Sequence, residues 1–296
     1  MEYLCNCCPR MCGVVRGDTG QGFCGMGADP VIARAALHFD EEPVISGKTG
    51  SGTVFFSGCS LHCVFCQNFP ISHEGFGRKV PASALREIYL DLIGQGAGNI
   101  NLVNPTHFAE PILQSLQGGL PVPVVWNTGG YERVETLRRF EGLVQVYLPD
   151  LKYRRKDAAA RYSGAPDYFE RASEALVEML RQTGPVEIGE DGRMLRGVLV
   201  RHLVLPGRSE ESMEILDWIH DNLPGAWVSL MAQYVPMGEV EGVDQLSRRL
   251  RKREYERVVE HMLALGLEDG FVQELGSAEE KYIPPFDLTG VPECFT

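Results

Sequence analysis

The chain has 296 residues, of which 44% are apolar and 23% charged, and its formal net charge is −12 at neutral pH. The apolar fraction is too high for a disordered chain, and no apolar run approaches the roughly 20 residues that cross a bilayer. The acidic balance argues against nucleic acid or an anionic membrane as the main partner. The first residues lack the basic and apolar regions of a signal peptide, so we expect a cytoplasmic protein with one large domain or two ordinary ones.

Beyond residue 45, short apolar runs alternate with amphipathic stretches, which is typical of βαβ units. The runs that predict buried strands are 53–57, 100–103, 122–126, 143–148, 198–205, 227–231 and 271–273. The stretches that predict helices are 82–92, 109–116, 132–140, 168–181, 210–222 and 245–265. Strands that alternate with helices in this way form a parallel sheet, so the predicted fold class is α/β. Six or more such units favour a partial (β/α)6-type barrel over a flat sheet.

Polar and glycine-bearing segments follow five of the predicted strands. These segments are 57–59, 104–107, 127–130, 150–152 and 233–234. In α/β barrels the carboxyl ends of the strands lie on one face, where catalytic residues gather. We therefore expect the functional site at this edge of the sheet.

Nine cysteines are present, and eight of them lie within the first 66 residues. These eight are Cys5, Cys7, Cys8, Cys12, Cys24, Cys59, Cys63 and Cys66. The ninth, Cys294, stands near the end of the chain. An odd number of cysteines in a chain without an export signal argues against a disulfide framework. Thiols crowded in this way predict ligands of a metal or a cluster.

Cys59, Cys63 and Cys66 form a C-x3-C-x2-C loop directly after a predicted strand. A [4Fe–4S] cluster normally takes four cysteines, so these three would leave one iron without a protein ligand. An open coordination position marks a catalytic metal site. The spacing alone also allows a zinc knuckle in which Cys63 and Cys66 pair with Cys5 and Cys8.

The N-terminal cysteines form a second group with the pattern C-x2-C-x3-C-x11-C, made by Cys5, Cys8, Cys12 and Cys24. Four thiolates fill the tetrahedron of a structural zinc ion or ligate an auxiliary iron–sulfur cluster completely. Cys7 is the spare cysteine in this reading. Free buried thiols are the alternative. We predict a cysteine-rich metal-binding segment over residues 1–45, followed by the barrel and a C-terminal wrapping tail over 46–296.

The C-x3-C-x2-C loop, with the aromatic residue Phe65 before its last cysteine, resembles the signature loop of radical S-adenosylmethionine (SAM) enzymes. The resemblance implies a radical SAM barrel in which SAM completes the coordination of the open iron, beside Phe65. It also implies reductive cleavage of SAM to methionine and a 5′-deoxyadenosyl radical that abstracts a hydrogen atom. The cofactors carry such chemistry, while the protein positions them and excludes water.

Three further segments resemble the glycyl-radical-enzyme (pyruvate formate-lyase) activating enzymes. They are 127–130, 150–152 and the strand 200–207, each at a predicted strand end. The resemblance implies SAM contacts from Asn127, Asp150, Lys152 and Arg201. The residues alone also allow a surface role for Lys152, an ion pair in the barrel for Arg201 and a simple turn at 129–130.

The stretch 104–107, Asn-Pro-Thr-His, departs from the Gly-Gly-Glu that activating enzymes carry at this place. It is closer to the PflX-type branch of activating-enzyme-like proteins, whose members also have an N-terminal cysteine segment. The resemblance makes Asn104 and Thr106 candidate SAM contacts. Thr106 as a helix N-cap and His107 as a surface residue are the alternatives.

The resemblance implies a partner protein of the glycyl-radical-enzyme type as the source of the hydrogen atom. It also implies an electron donor such as flavodoxin or ferredoxin, with no nucleic acid and no membrane involved. Radical SAM modification of a peptide or a small molecule is the alternative reaction. A non-catalytic iron–sulfur or zinc protein is the alternative from another class.

Overall fold

Strands and helices alternate along most of the chain in the computed structural model, which describes residues 3–17, 22–277 and 284–293. The strands are β1 (Tyr3–Leu4), β2 (Val15–Arg16), β3 (Val31–His38), β4 (Ser51–Phe56), β5 (Arg78–Lys79), β6 (Ile100–Val103), β7 (Val124–Thr128), β8 (Val146–Pro149), β9 (Glu187–Ile188), β10 (Met194–Leu203), β11 (Trp227–Met231) and β12 (Gly270–Val272). The helices are α1 (Pro43–Ser46), α2 (Phe69–Ser72), α3 (Ala84–Gly94), α4 (Ala109–Ser115), α5 (Val134–Arg138), α6 (Lys156–Ser163), α7 (Tyr168–Thr183), α8 (Ser209–Asn222) and α9 (Lys252–Ala264). Three short 3-10 turns cover Thr106–Phe108, Asp244–Ser247 and Leu275–Ser277.

One large sheet organises the molecule, with strand order β12-β11-β10-β8-β7-β6-β4-β3-β5. From β4 to β12 the neighbours in this order run parallel, whereas β3 is antiparallel to both β4 and β5. In the described residues β12 and β5 do not pair, so the sheet is open rather than a closed barrel. The short β9 pairs with β10, and β1 and β2 form a separate ribbon in the N-terminal segment. The predicted α/β partial barrel with a cysteine-rich N-terminal segment is confirmed.

The parallel strands are buried on both faces, because helices cover them on one side and the barrel interior on the other. Every residue of β4, β6, β7 and β8 is buried. The helices instead bury one stripe each, as α7 does with Ala172, Leu176 and Met179. The helix faces and part of each strand form one large apolar cluster, while Val125, Val146 and Leu148 belong to a second cluster. The core holds the carboxyl ends of the strands in fixed positions relative to one another.

All seven predicted strands overlap observed ones, but two elements of eight residues, β3 and α6, were missed, as were several elements of two to four residues. The strand β3 lies inside the predicted N-terminal segment and pairs with β4, so the large sheet begins before residue 46. The helix α6 is rich in alanine and charged residues, and its weak apolar periodicity did not reveal it. In the described residues no helix is both long and apolar enough to span a bilayer.

The predicted helix 245–265 was wrong at its start, because α9 begins only at Lys252. The side chain of Glu254 accepts a hydrogen bond from the backbone N–H of Arg251 at 2.9 Å and caps the helix there. The same carboxylate pairs with Arg248 at 2.6 Å. Both contacts hold the preceding residues in a turn rather than in the helix.

The described part of the C-terminal tail, 284–293, lies along β3. The N–H of Leu288 donates to the carbonyl of Ala33 at 3.0 Å, and the N–H of Ala35 donates to the carbonyl of Thr289 at 2.8 Å. The tail therefore satisfies backbone groups of β3 that β5 does not reach. Cys294 lies outside the described residues.

Candidate functional site

A cavity of about 200 Å³ opens at the carboxyl ends of the parallel strands. The cysteine loop after β4 forms one wall, and polar residues at the ends of β6, β7, β8 and β10 contribute to the rest of its polar lining. The polar and thiol side chains that line it include Cys59, Cys63, Cys66, Asn104, Asn127, Asp150, Lys152 and Arg201. Apolar contributions come from Phe65, Leu203, Met231 and Met237, among others. The edge that the sequence predicted as the functional site therefore carries the cavity.

Nine of the ten residues predicted to hold the cluster or SAM line this cavity, and Thr106 is the exception. Its hydroxyl donates a hydrogen bond to the buried carboxylate of Glu132 instead. It does not act as an N-cap either, because it lies inside a 3-10 turn and makes no cap hydrogen bond. His107 is fully buried and its Nε2 lies 2.7 Å from the carbonyl of Ser57, so the surface alternative for it was wrong. The polar residues of this turn face the interior of the protein, away from the cavity.

The cysteine loop begins at Gly58, where only glycine fits. Its φ is +82°, and a Cβ there would stand 2.4 Å from Cγ of Met26 and 2.8 Å from the carbonyl oxygen of Cys24. This close approach brings the N-terminal cysteine segment against the loop. Asn104, at φ +57°, donates from Nδ2 to the carbonyl of Gly58 at 2.5 Å and fixes the loop from the other side.

Arg10 joins the N-terminal segment to the same loop. Its guanidinium donates to the carbonyl of Ser60 at 2.8 Å, and to the carbonyls of Ser163 at 2.8 Å and Gly164 at 2.6 Å. The guanidinium also stacks on Phe23, 3.8 Å from the ring centre. One side chain thus ties three parts of the chain together beside the loop.

Each sulfur of the loop accepts at least one hydrogen bond. The backbone N–H of Leu61 donates to Cys59 at 3.3 Å. The hydroxyls of two serines serve the other sulfurs, Ser72 donating to Cys66 at 3.3 Å and Ser163 to Cys63 at 3.0 Å. Donors placed in this way stabilise sulfur that carries negative charge.

The cavity disfavours free thiolates at the same time. Burial raises the pKa of Cys59 to about 12 and also raises the pKa of Cys66, with the neighbouring Cys63 adding to both shifts. Without a positively charged group beside them, the sulfurs of Cys59 and Cys66 would be protonated at neutral pH. Three buried sulfurs that share one cavity and have hydrogen-bond donors ready therefore fit a metal–sulfur cluster.

Opposite the cysteines, an ion-pair network spans the ends of three strands. Nε of Arg201 lies 3.0 Å from a carboxylate oxygen of Asp150, whose other oxygen lies 2.6 Å from Nζ of Lys152. The second guanidinium edge contacts Glu41 at 3.3 Å and the side-chain oxygen of Asn127 at 2.6 Å. In this network two cationic side chains, Arg201 and Lys152, face two carboxyl groups, Asp150 and Glu41.

Burial and pairing act in opposite directions on these groups. Burial works against the charge of Asp150, but Arg201 and Lys152 more than offset it and hold the pKa of this carboxyl below its usual range. Burial dominates at Glu41 and raises its pKa, although Arg201 opposes the shift. Asp150 is therefore ionised at neutral pH beside two cations.

Backbone contacts keep the ends of β7 and β8 in register. The Tyr168 hydroxyl accepts from the N–H of Lys152 at 2.9 Å and lies 2.9 Å from the carbonyl oxygens of both Gly129 and Asp150. At Gly130 the φ is +82°, and a Cβ would stand 2.2 Å from the carbonyl oxygen of Asp150. The glycine pair thus allows the two strand ends to approach each other.

Two buried carboxylates at or near the site were missed from the sequence. Glu41 accepts from Asn101 and Asn127, each at 3.1 Å, besides its contact with Arg201. Glu132 accepts hydrogen bonds from the hydroxyls of Thr106 and of Thr128, the last residue of β7. The acidic run 40–42 follows β3, so recognising that strand would have placed Glu41 at its end.

The N-terminal cysteines do not line the cavity, and two of them, Cys5 and Cys24, contact Arg16. Nη2 of this arginine donates to Sγ of Cys5 at 3.1 Å and to Sγ of Cys24 at 3.0 Å. The sulfurs of Cys5 and Cys7 are 3.8 Å apart, and the N–H of Phe23 donates to Cys12 at 3.3 Å. Within the described ranges no three His, Cys, Asp or Glu side chains converge on a position for one metal ion.

Several known proteins are similar to this chain, although no protein-family model matches it. SuiB of Streptococcus suis, in a crystal structure bound to the precursor peptide SuiA, has a TM-score of 0.50 and 15% sequence identity, and covers 74% of this chain. The match spans about half of SuiB, 48% of its length. A variant of spore photoproduct lyase has a TM-score of 0.48 and 14% identity, with 81% of this chain and 80% of that one covered.

In sequence, the chain is 31% identical over 266 residues to the uncharacterized protein MJ0674 of Methanocaldococcus jannaschii. The match covers 86% of this chain and 73% of the relative, so it includes most of both proteins rather than a shared motif. The likeness to SuiB concerns the fold, and the likeness to the archaeal protein concerns the sequence. The chain belongs to the family of the M. jannaschii protein MJ0674.

Proposed function

We propose that this protein is a radical SAM enzyme whose catalytic cluster is held by Cys59, Cys63 and Cys66. One observation carries the proposal: these three sulfurs share a single cavity with the ion-pair network of Asp150 and Lys152, at the carboxyl edge of a parallel sheet. When bound, a [4Fe–4S] cluster and SAM supply reductive cleavage of a sulfonium C–S bond and a radical that abstracts hydrogen. The likeness of the loop to the radical SAM signature agrees with this arrangement.

The chain's own residues have three tasks in this reaction: they stabilise the charge of the cluster ligands, exclude water and bind the charged groups of SAM. The hydrogen bonds to the loop sulfurs, such as that from Ser163 to Cys63, stabilise the negative charge of thiolate ligands. Phe65 is buried and contacts the rings of Tyr153 and Tyr234 edge-on, which excludes water behind the loop. Water exclusion matters because a reactive radical must meet only its intended substrate.

The polar wall has donors and acceptors for the charged groups of SAM. Lys152 and Arg201 donate to carboxylates, and both are already paired with Asp150. Asp150 accepts from an ammonium group, and its lowered pKa keeps it ionised for this purpose. Because both cations are paired with Asp150 before binding, the network can exchange internal partners for ligand groups without leaving a buried charge alone.

For the substrate, we propose a polypeptide that donates a hydrogen atom. The resemblance to activating enzymes favours a glycine of a partner protein of the glycyl-radical-enzyme type, with flavodoxin or ferredoxin as electron donor. A peptide substrate is the second candidate, and the shared fold with SuiB, which was crystallised with a precursor peptide, favours it.

The proposal is tested by reconstituting the purified protein with iron and sulfide under anaerobic conditions. With a chemical reductant, we expect SAM to be converted to methionine and 5′-deoxyadenosine, quantified by liquid chromatography and mass spectrometry. Cys63→Ala should abolish this product, and Cys294→Ala, outside both cysteine groups, is the matched control. Undiminished 5′-deoxyadenosine from Cys63→Ala would refute the assignment.

A further inference from the structure

The Asn-Pro-Thr-His stretch after β6 holds the strand end from which the cysteine loop begins. His107 is fully buried, and its Nε2 lies 2.7 Å from the carbonyl oxygen of Ser57. Because a carbonyl only accepts, the ring carries its proton on Nε2 and donates it there, while Nδ1 has no partner among the described residues. Nδ2 of Asn104 donates to the carbonyl of Gly58, the next residue, at 2.5 Å. Two side chains of one short stretch therefore hold the two carbonyls that precede Cys59.

The same stretch is tied to the end of β7, which forms part of the polar wall. The backbone N–H of Asn104 donates to the carbonyl of Asn127 at 2.8 Å. The hydroxyl of Thr106 donates to the buried carboxylate of Glu132, which also accepts from the hydroxyl of Thr128. Asn104 thus contacts the cysteine loop through its side chain and the polar wall through its backbone.

The backbone is left-handed at both ends of the contact between Asn104 and Gly58. The φ angles are +57° at Asn104 and +82° at Gly58. This conformation costs energy at a residue other than glycine, so it persists only where surrounding contacts fix it. The fit at the glycine is tight, because a Cβ there would stand 3.2 Å from Nε2 of His107. The bend that leads into the cysteine loop is therefore set by the side chains packed against it.

We propose that Asn104 and His107 are positioning residues that clamp the cysteine loop at a fixed distance from the polar wall. The clamp places the cluster of the loop against the groups that bind SAM, and this part of the inference rests on the proposed function. His107 does not line the cavity, so it acts on SAM only through the carbonyl of Ser57. Asn104 lines the cavity, and the clamp gives it a task besides the direct contact with SAM that the sequence predicted.

The clamp is tested first on the full-length protein before SAM is added, by hydrogen–deuterium exchange of the peptide that covers 57–66. His107→Leu removes the donor to Ser57, and we expect the loop amides to exchange at least about fivefold faster. Asn104→Gly removes the other donor at a backbone conformation that glycine adopts freely, and the same result is expected. His107→Gln keeps an N–H donor on a side chain of similar length, so its exchange should stay within about twofold of the parent rate.

Loss of any buried hydrogen bond can loosen a protein, so Thr183→Val is the matched control. Thr183 is buried at the end of α7, and its hydroxyl donates to the carbonyl of Met179 at 3.0 Å, away from the cavity lining. We expect this variant to exchange the peptide 57–66 at the parent rate. If His107→Leu does not fold, Asn104→Gly decides the question. Exchange of the loop at the parent rate in both of these variants would overturn the clamp.

A second measurement concerns SAM and uses the electron paramagnetic resonance spectrum of the reconstituted, reduced protein. We expect the SAM concentration that converts half of the signal to be at least about fivefold higher in His107→Leu than in the parent. His107→Gln should restore the parent value, and Thr183→Val should keep it, since a loss of global stability alone does not change this concentration. An unchanged concentration in His107→Leu would overturn the link between the clamp and SAM. A protein that binds no cluster would refute the proposed function, whereas the exchange data would still decide whether the clamp exists.

Discussion

The buried carboxyl group of Glu132 predicts a stability that falls as the pH rises. Glu132 is 1% exposed, and the hydroxyls of Thr106 and Thr128 both donate to its Oε1. Oε2 has no partner among the described residues. Burial raises the pKa of Glu132 from 4.5 to about 7, and the hydrogen bonds from both threonines and Trp126 reduce the shift. The folded protein therefore keeps Glu132 protonated at pH values where the unfolded chain has already released the proton.

The size of the effect follows from the two pKa values of Glu132. One unit of difference in pKa corresponds to about 1.4 kcal/mol, so a pKa of about 7 in place of 4.5 corresponds to about 3 kcal/mol. The unfolded state binds fewer protons at this residue than the folded state, so this stability is present below pH 4.5 and is lost as the pH rises through 7. Between pH 5.5 and 8 the loss is about 2 kcal/mol. For a chain of this size, we expect roughly 4–8 °C in Tm.

Glu132→Gln removes the titration while it keeps the shape and the acceptor oxygen. Between pH 5.5 and 8 we expect the Tm of the parent protein to fall by roughly 4–8 °C relative to that of the variant. Thermal denaturation of the reconstituted proteins in matched buffers measures this difference, and other titrating groups cancel in it. Glu141→Gln is the control, because Glu141 pairs with Arg181 at the surface and has its pKa lowered, outside this pH window. A pH-independent difference for Glu132→Gln would contradict the reasoning.

Three further substitutions probe the architecture of the site. Gly130→Ala places a methyl group 2.2 Å from the carbonyl oxygen of Asp150. We expect the free energy of unfolding, measured by thermal or urea denaturation, to fall by at least about 2 kcal/mol. Parent-like stability would mean that the two strand ends do not approach so closely. Lys152→Met should weaken SAM binding to the reconstituted protein at least about tenfold in calorimetric titration, and unchanged affinity would remove this lysine from the contacts. Arg10→Met should speed the release of iron to a chelator, because the cysteine loop loses a donor to its backbone. Release at the parent rate would show that the loop does not depend on this side chain.

The parallel sheet could be read from the sequence because each strand is a short apolar run, buried on both faces and closed by turn-forming residues. Burial on two faces removes polar residues from the run, as in residues 124–126 of β7. Once the strands are parallel, their carboxyl ends meet at one edge, so Asn127, Asp150 and Arg201 could be expected together. The hydrogen bonds of Arg201 to Asp150 and Asn127 could not be predicted, because the orientation of these side chains depends on strands that are far apart in the sequence.

The missed features depend on contacts that no local pattern records. The strand β3 pairs antiparallel with its neighbour and carries a charged residue, Arg34, whose partner Asp287 lies near the other end of the chain. Glu41 follows this strand and was missed with it. Thr106 has the sequence of a helix start, yet the buried carboxylate of Glu132 takes its hydroxyl, and a tertiary contact of this kind overrides the capping preference.

Arg10 lies in the N-terminal segment and donates hydrogen bonds to three backbone carbonyls, one of them in the cysteine loop. The position of the loop therefore depends on the first two dozen residues. If air oxidised the N-terminal thiols, the segment that carries Arg10 would become disordered. The loop would then lose the hydrogen bond from Arg10 to Ser60 although its own sulfurs were still intact. Oxidation of the N-terminal cysteines would in this way affect the loop that carries Cys59, Cys63 and Cys66. Handling conditions that protect only the cysteines of the loop would therefore not preserve the protein.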